Sequence, residues 1–285
     1  MIKRIVHLIN IILLSAALLT TGSCDQRGAA WEKLDMAESL MDSKPDSALA
    51  VLGSIPTSKV KGKEISARYA LLKSMALDKN YIDTTTFDVL QPAIGYYIKH
   101  GTPDEQLRTY YYQGRIYQNQ GDDNSAMQSF MNGSDLGESI TDSLLLAHTL
   151  VAQGTLYLKQ YKTGEFIHNN MEAAKLYDAI GRDILEIKSY TSAIDGYVMM
   201  NDKSSADRIL SICVPLVQKN PDGEIYLFTS LLSYTINFGS PKEIKEFLTE
   251  YQYMELTTDD AMIIAQGYSK IGEYDKAIAL LSGIS

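Results

Sequence analysis

A chain of 285 residues with 45% hydrophobic side chains has material for one or two compact domains or one elongated repeat domain. Its formal net charge of −9 sets the surface against phosphate backbones and argues against bulk nucleic-acid binding. Two cysteines, Cys24 and Cys213, are too few for a disulfide scaffold, and 19 Tyr against 6 Phe and 1 Trp point to half-buried helix surfaces.

In chain order, the sequence opens Met-Ile-Lys-Arg and runs through a mostly apolar stretch from Ile5 to Leu19, broken by His7 and Asn10. It then reaches Thr20-Thr21-Gly22-Ser23-Cys24. A basic start, an apolar middle and small residues before a cleavage point read as a signal peptide over 1–23. The final residues resemble the bacterial lipobox, with Thr21 where Leu is usual. The resemblance implies that Cys24 becomes the first mature residue and carries a lipid. Residues 24–30 are then a brief tether, and the rest lies outside the cytoplasm. An uncleaved anchor and an ordinary cleaved signal are the rival readings. The apolar stretch is short of the roughly 20 residues a spanning helix needs. Cys213 is then the one free thiol, read as a small buried apolar residue.

Residues 31–285 read as helical hairpins. Trp31 to Met41 is amphipathic, and Pro45 starts the next helix, a favoured place for Pro. Ala67 to Leu77 and Phe87 to Ile98 make a second, longer hairpin. Then a motif recurs: Tyr110, Gly114, Tyr117, Gly121, Ala126 and Phe130. Leu150 to Tyr157 repeats its start 40 residues later, and Tyr190 to Tyr197 another 40 later, followed by Ala206 and Leu210. Ala261 to Tyr268, with Gly272, Ala277 and Leu281, is the last copy. The small residue at Gly114, Gly154 or Ala265 lets two helices approach. Gly121 and Gly272 end the first helix, since Gly tolerates positive φ. Ala126, Ala206 and Ala277 sit at the close contact of the second. Repeats counted this way begin near 107, 147, 187, 225 and 258. Phe166 and Ile244 take the Ala position in the two weaker copies. About seven hairpins result, with no convincing strand run.

This pattern of small and aromatic residues resembles the tetratricopeptide repeat, which implies an all-α, right-handed solenoid over 31–285. Ala37 to Met41 followed by Pro45 to Leu49, and Tyr111 to Tyr117, look like a family of Bacteroidota tetratricopeptide proteins. Many of those carry a lipoprotein signal, and others continue into a membrane span and a helix-turn-helix regulatory domain. This sequence stops at Ser285 without a second apolar span, a basic reading head or a polar capping helix. A short natural chain, a truncated relative and a chain capped by another subunit are the options.

No chemistry-bearing constellation emerges. His100, His148 and His168 lack zinc spacing, and His168 with Glu172 four residues on reads as a solvated pair. Gly133-Ser134-Asp135-Leu136-Gly137 is not a nucleophile elbow, since the Ser is not centred. Gly121-Asp122-Asp123-Asn124 is better explained as a repeat turn than as a calcium loop. Asp46-Ser47-Ala48 and Asp142-Ser143-Leu144 look like an O-glycosylation signal of exported Bacteroidota proteins, and equally like helix starts. The expectation is no enzyme, no cofactor and no metal.

By the same resemblance the first helix of each repeat lines a groove. Its candidates are Arg108, Tyr111, Arg115, Gln118 and Asn119, then His148 and Lys159, then Lys188 and Asp195. Arg108 and Arg115, seven apart with Tyr111 between them, form a cationic, aromatic strip suited to an acidic peptide segment. Ordinary solvated charges are the bland alternative. The function expected is a lipid-anchored scaffold of the cell envelope, at the outer membrane, that binds a protein or peptide and no nucleic acid. The alternative is the sensor half of a membrane-linked transcriptional regulator without its output domain.

Overall fold

The computed structural model describes residues 28–251 and 258–283. The signal segment, Cys24 and the first part of the tether lie outside the described residues. Among those described, the chain is all-α, with fourteen helices and no strand. None of these helices is long and apolar enough to cross a membrane.

Two compact units divide the chain, the first ending at Thr141 and the second beginning at Asp142. The first holds α1 (28–40), α2 (Pro45–Gly53), α3 (Lys63–Lys79), α4 (Gln91–His100), α5 (Pro103–Gln120) and α6 (Asp123–Ser134). The second holds α7 (Ser143–Lys159), α8 (Thr163–Ala179), α9 (Asp183–Met199), α10 (Lys203–Lys219), α11 (Glu224–Phe238), α12 (Pro241–Tyr251), α13 (Thr258–Lys270) and α14 (Tyr274–Ser282). Taken pairwise these are seven hairpins. Within each unit a first helix also packs on the first helix of the next hairpin, as α3 on α5, α9 on α11 and α11 on α13. That is the packing of a helical-repeat solenoid.

Helices α5, α7 and α9 begin at Pro103, Ser143 and Asp183, four residues ahead of the starts expected at 107, 147 and 187. Side-chain caps hold the additional turn of α5 and α7, while α9 has none. Thr102 Oγ1 accepts the Glu105 N–H at 3.3 Å, and the Glu105 carboxylate accepts the Thr102 N–H at 2.8 Å. Asp142 likewise accepts from the Leu145 N–H at 3.1 Å, so Asp142-Ser143 is a helix start. Helix α4 begins at Gln91 rather than Phe87. Pro92 falls in its first turn, where a missing N–H is harmless, and Phe87 instead meets Tyr117 edge-on at 4.9 Å.

The turns repeat more regularly than their residues. Positions 81, 121, 161 and 201 have left-handed φ of 57°, 77°, 59° and 56°. At each, the next N–H bonds to the carbonyl five positions earlier: Ile82 to Leu77 (3.0 Å), and Asp122, Lys162 and Asp202 to Tyr117, Tyr157 and Tyr197 (2.9 Å each). Gly121 is at ease there. Tyr81 and Tyr161 are not, and at 95% and 94% exposed their rings gain no packing to offset the strain.

Close approach explains the small residues. A Cβ on Gly114 would stand 2.5 Å from the Phe130 ring, so α5 and α6 meet only because it is absent. Ala126, Ala206 and Ala277 are buried as expected. Phe166, large where Ala is usual, is accommodated between two glycines. A Cβ on Gly154 of α7 would lie 3.6 Å from its ring, and one on Gly196 of α9 would lie 3.2 Å from it. Leu281 departs from the pattern. It is 48% exposed on α14, which packs chiefly on α13, whereas Phe130 is fully buried.

Candidate interaction surface

In the first unit, α1, α3 and α5 are laced by charge. Glu38 of α1 binds two guanidinium groups, Arg68 Nη2 at 2.6 Å and Arg108 Nη1 at 3.1 Å. Arg68 also meets Asp35 at 2.7 Å and lies 5.2 Å over the Trp31 ring. Arg115 Nε pairs with Asp78 of α3 at 3.0 Å, and its Nη1 donates to Gln118 at 3.0 Å. Asn119 donates to the Thr84 carbonyl at 3.1 Å. The expected cationic strip is therefore a mixed-charge lattice, because carboxylates from earlier hairpins meet both arginines. Tyr111 is half-buried beside Tyr112 and Phe130, at 5.1 and 5.8 Å between ring centres. Burial, with Asp78 adding and Arg115 opposing, pushes its hydroxyl up to about 12. Of the three adjacent tyrosines, Tyr112 is the buried one, at 4% exposed, while Tyr110 is half-buried with its Cβ near Gly133 of α6.

The candidates of the second unit take other partners. His148 Nδ1 lies 2.9 Å from the hydroxyl of the buried Tyr177, so its ring is turned into its own hairpin. Lys188 Nζ stands 4.3 Å from the centre of the Tyr226 ring on α11. Asp195 faces Ser230 of α11, whose hydroxyl donates to the Thr191 carbonyl at 3.3 Å, and burial, partly offset by Ser230, pushes its carboxyl up to about 6. Glu172 pairs with Lys175 at 2.6 Å on the same helix, the structural use of the residue weighed as a partner for His168. Among the described residues no three His, Cys, Asp or Glu side chains gather to hold a metal.

Two features have no counterpart in the sequence reading. Glu186 in the first turn of α9 is 5% exposed, and burial together with Asp178 and Asp183 pushes its carboxyl up to about 7. A recess of about 360 Å³ also opens between α10, α11 and α12, lined by Lys203, Tyr234, Phe238, Glu243, Glu246 and Phe247. Lys203 also pairs with Asp207, four residues on along α10, at 2.8 Å. The lining converges from three helices.

No protein-family model matches the sequence, and no curated protein matches it. Solved structures do match in fold. The apo form of RapI is 12% identical with a TM-score of 0.64, over 90% of this chain and 76% of that one. A Rap protein complexed with Competence and Sporulation Factor is 13% identical with a TM-score of 0.61, over 89% of this chain and 74% of that one. At such identities the likeness is one of fold, and the chain has an all-α helical-repeat fold of tetratricopeptide type.

Proposed function

We propose that this chain is an extracytoplasmic, lipid-anchored scaffold that grips a protein or peptide along the first helices of its hairpins. The observation that carries this is the repeated hairpin packing, which within each unit sets first helices side by side, α3 with α5 and α9 with α11 and α11 with α13, and lines them with Arg, Tyr, Lys and Asp side chains. Fold likeness to a Rap protein complexed with a factor supports the same use. The lipobox-like Thr21-Gly22-Ser23-Cys24 supports the anchor, as does the likeness of the first hairpin to Bacteroidota lipoproteins.

The test has two arms. Fractionation of cells carrying the chain or its Cys24→Ala variant should move the protein from membrane to soluble fraction. Membrane retention of the variant would remove the lipid anchor from the proposal. A pull-down from native membranes with residues 25–285, beside an Arg108→Gln/Arg115→Gln variant of matched melting temperature, should enrich one partner and lose it in the variant. A partner held equally by both would displace the groove from α5. No partner at all would favour the sensor half of a separated regulator.

A further inference from the structure

We infer that the recess between α10, α11 and α12 receives a guanidinium group, the arginine side chain of a bound protein. This deepens the scaffold proposed above and rests on it.

The recess contains one cation that is already spent. Lys203 Nζ has three N–H donors and three acceptors, Asp207 Oδ1 at 3.0 Å, Asp207 Oδ2 at 2.8 Å and Tyr234 Oη at 2.7 Å. The Tyr234 hydroxyl in turn donates to Asp207. Its donors thus assigned, Lys203 offers little to an incoming anion.

The carboxylates on α12 are different. Glu243 and Glu246 are three apart and so share one helix face. Glu243 uses one oxygen, Oε2, to accept both the Ser240 N–H and the Ser240 hydroxyl at 2.7 Å. Those bonds hold it ionised and fix its rotamer, leaving Oε1 as an acceptor. Glu246 meets Lys242 only at 3.8 Å, and Lys242 is 83% exposed. Lys203 against Glu243 and Glu246 leaves the lining of the recess net negative.

The walls decide which cation fits. Lys203 already lies over the Tyr234 ring at 5.3 Å, which leaves Phe238 and Phe247 as the aromatic walls, and Phe247 is braced by stacking on Phe228 at 5.1 Å. A planar group that stacks on rings while donating to carboxylates is a guanidinium. A lysine ammonium fills neither role as well, because it is compact and strongly hydrated.

Isotope-labelled full chain titrated with N-acetyl-argininamide tests this, read by NMR at the amides of residues 203–207 and 234–247. Saturable shifts confined to those amides are expected. Glu243→Gln/Glu246→Gln should weaken binding about tenfold or more. Gln still serves in the Ser240 capping box, so the melting temperature of the variant should be unchanged. N-acetyl-citrullinamide, the uncharged isostere, should not titrate. Equal binding of citrullinamide, tighter binding of N-acetyl-lysinamide, or shifts with N-acetyl-glutamate in its place would each overturn the proposal. Failure here with a partner still captured from membranes would sink the recess and leave the scaffold standing.

Discussion

The two units solve one packing problem with different chemistry. Positions 108, 148 and 188 are equivalent and 40 apart, yet Arg108 binds the Glu38 carboxylate, His148 the Tyr177 hydroxyl and Lys188 the Tyr226 ring. In the first unit the seam between successive first helices is a lattice of ion pairs. In the second it is one cation over a ring, a largely desolvated acid at Asp195, and Lys270 donating to the Ile236 carbonyl at 2.8 Å. Register therefore fixes the position on the helix, and the surrounding residues fix the partner, from an earlier hairpin for Arg108, its own for His148 and the next for Lys188. The second unit should accordingly respond to pH and the first to salt.

The largest effect should be steric and common to both units. Gly114→Ala drives a Cβ to 2.5 Å from the buried Phe130 ring, and Gly196→Ala to 2.5 Å from Ile167 Cγ1. Each should lose about 2 kcal/mol in urea unfolding, in the range of overpacked cores. Partial rescue of Gly114→Ala by Phe130→Leu would confirm the contact, and no loss in either variant would break the close-approach explanation.

Next comes pH, confined to the second unit. Glu186 is raised from its ordinary 4.5 to about 7 and Asp195 from 3.8 to about 6. The folded state holds these protons more tightly than the unfolded one. Their stabilisation is therefore full below about pH 4 and is lost as pH rises through 6 to 7. Between pH 5 and pH 8 the second unit should lose about 1–2 kcal/mol of hydrogen-exchange stability that the first unit keeps. Glu186→Gln should flatten most of that slope. An equal slope in both units would contradict the comparison.

Smaller still is a gain. Tyr81→Gly and Tyr161→Gly relieve left-handed φ at exposed positions, one in each unit, and should each add about 0.5–1 kcal/mol to thermal stability. Smallest is the charge lattice. Glu38→Gln should cost the first unit about 0.5–1 kcal/mol at low salt and less at 1 M salt, since its partners are only partly buried. A loss insensitive to salt would make the lattice a matter of packing rather than charge.

The hairpins were legible because their signals are local. Gly114, Ala126 and Phe130 lie within one hairpin, and Pro45 marks a helix start on its own. The partner of Arg108 was not legible, since Glu38 is 70 positions away and is brought close only by stacking. Arg108 and Arg115 therefore looked like a free cationic strip. Tyr81 and Tyr161 hid their turns because nothing in tyrosine announces positive φ, whereas Gly121 does. The recess was illegible for the same reason as the ion pairs, its lining being gathered from α10, α11 and α12.

The most direct test of a partner-gripping scaffold is site-specific photo-crosslinking in native membranes. A benzophenone side chain would replace Tyr111 on the first helix of its hairpin, and in a second protein Gln128, exposed on α6. A scaffold that grips along its first helices should capture one discrete partner from position 111 and none from 128. Capture from 128 alone would contradict it.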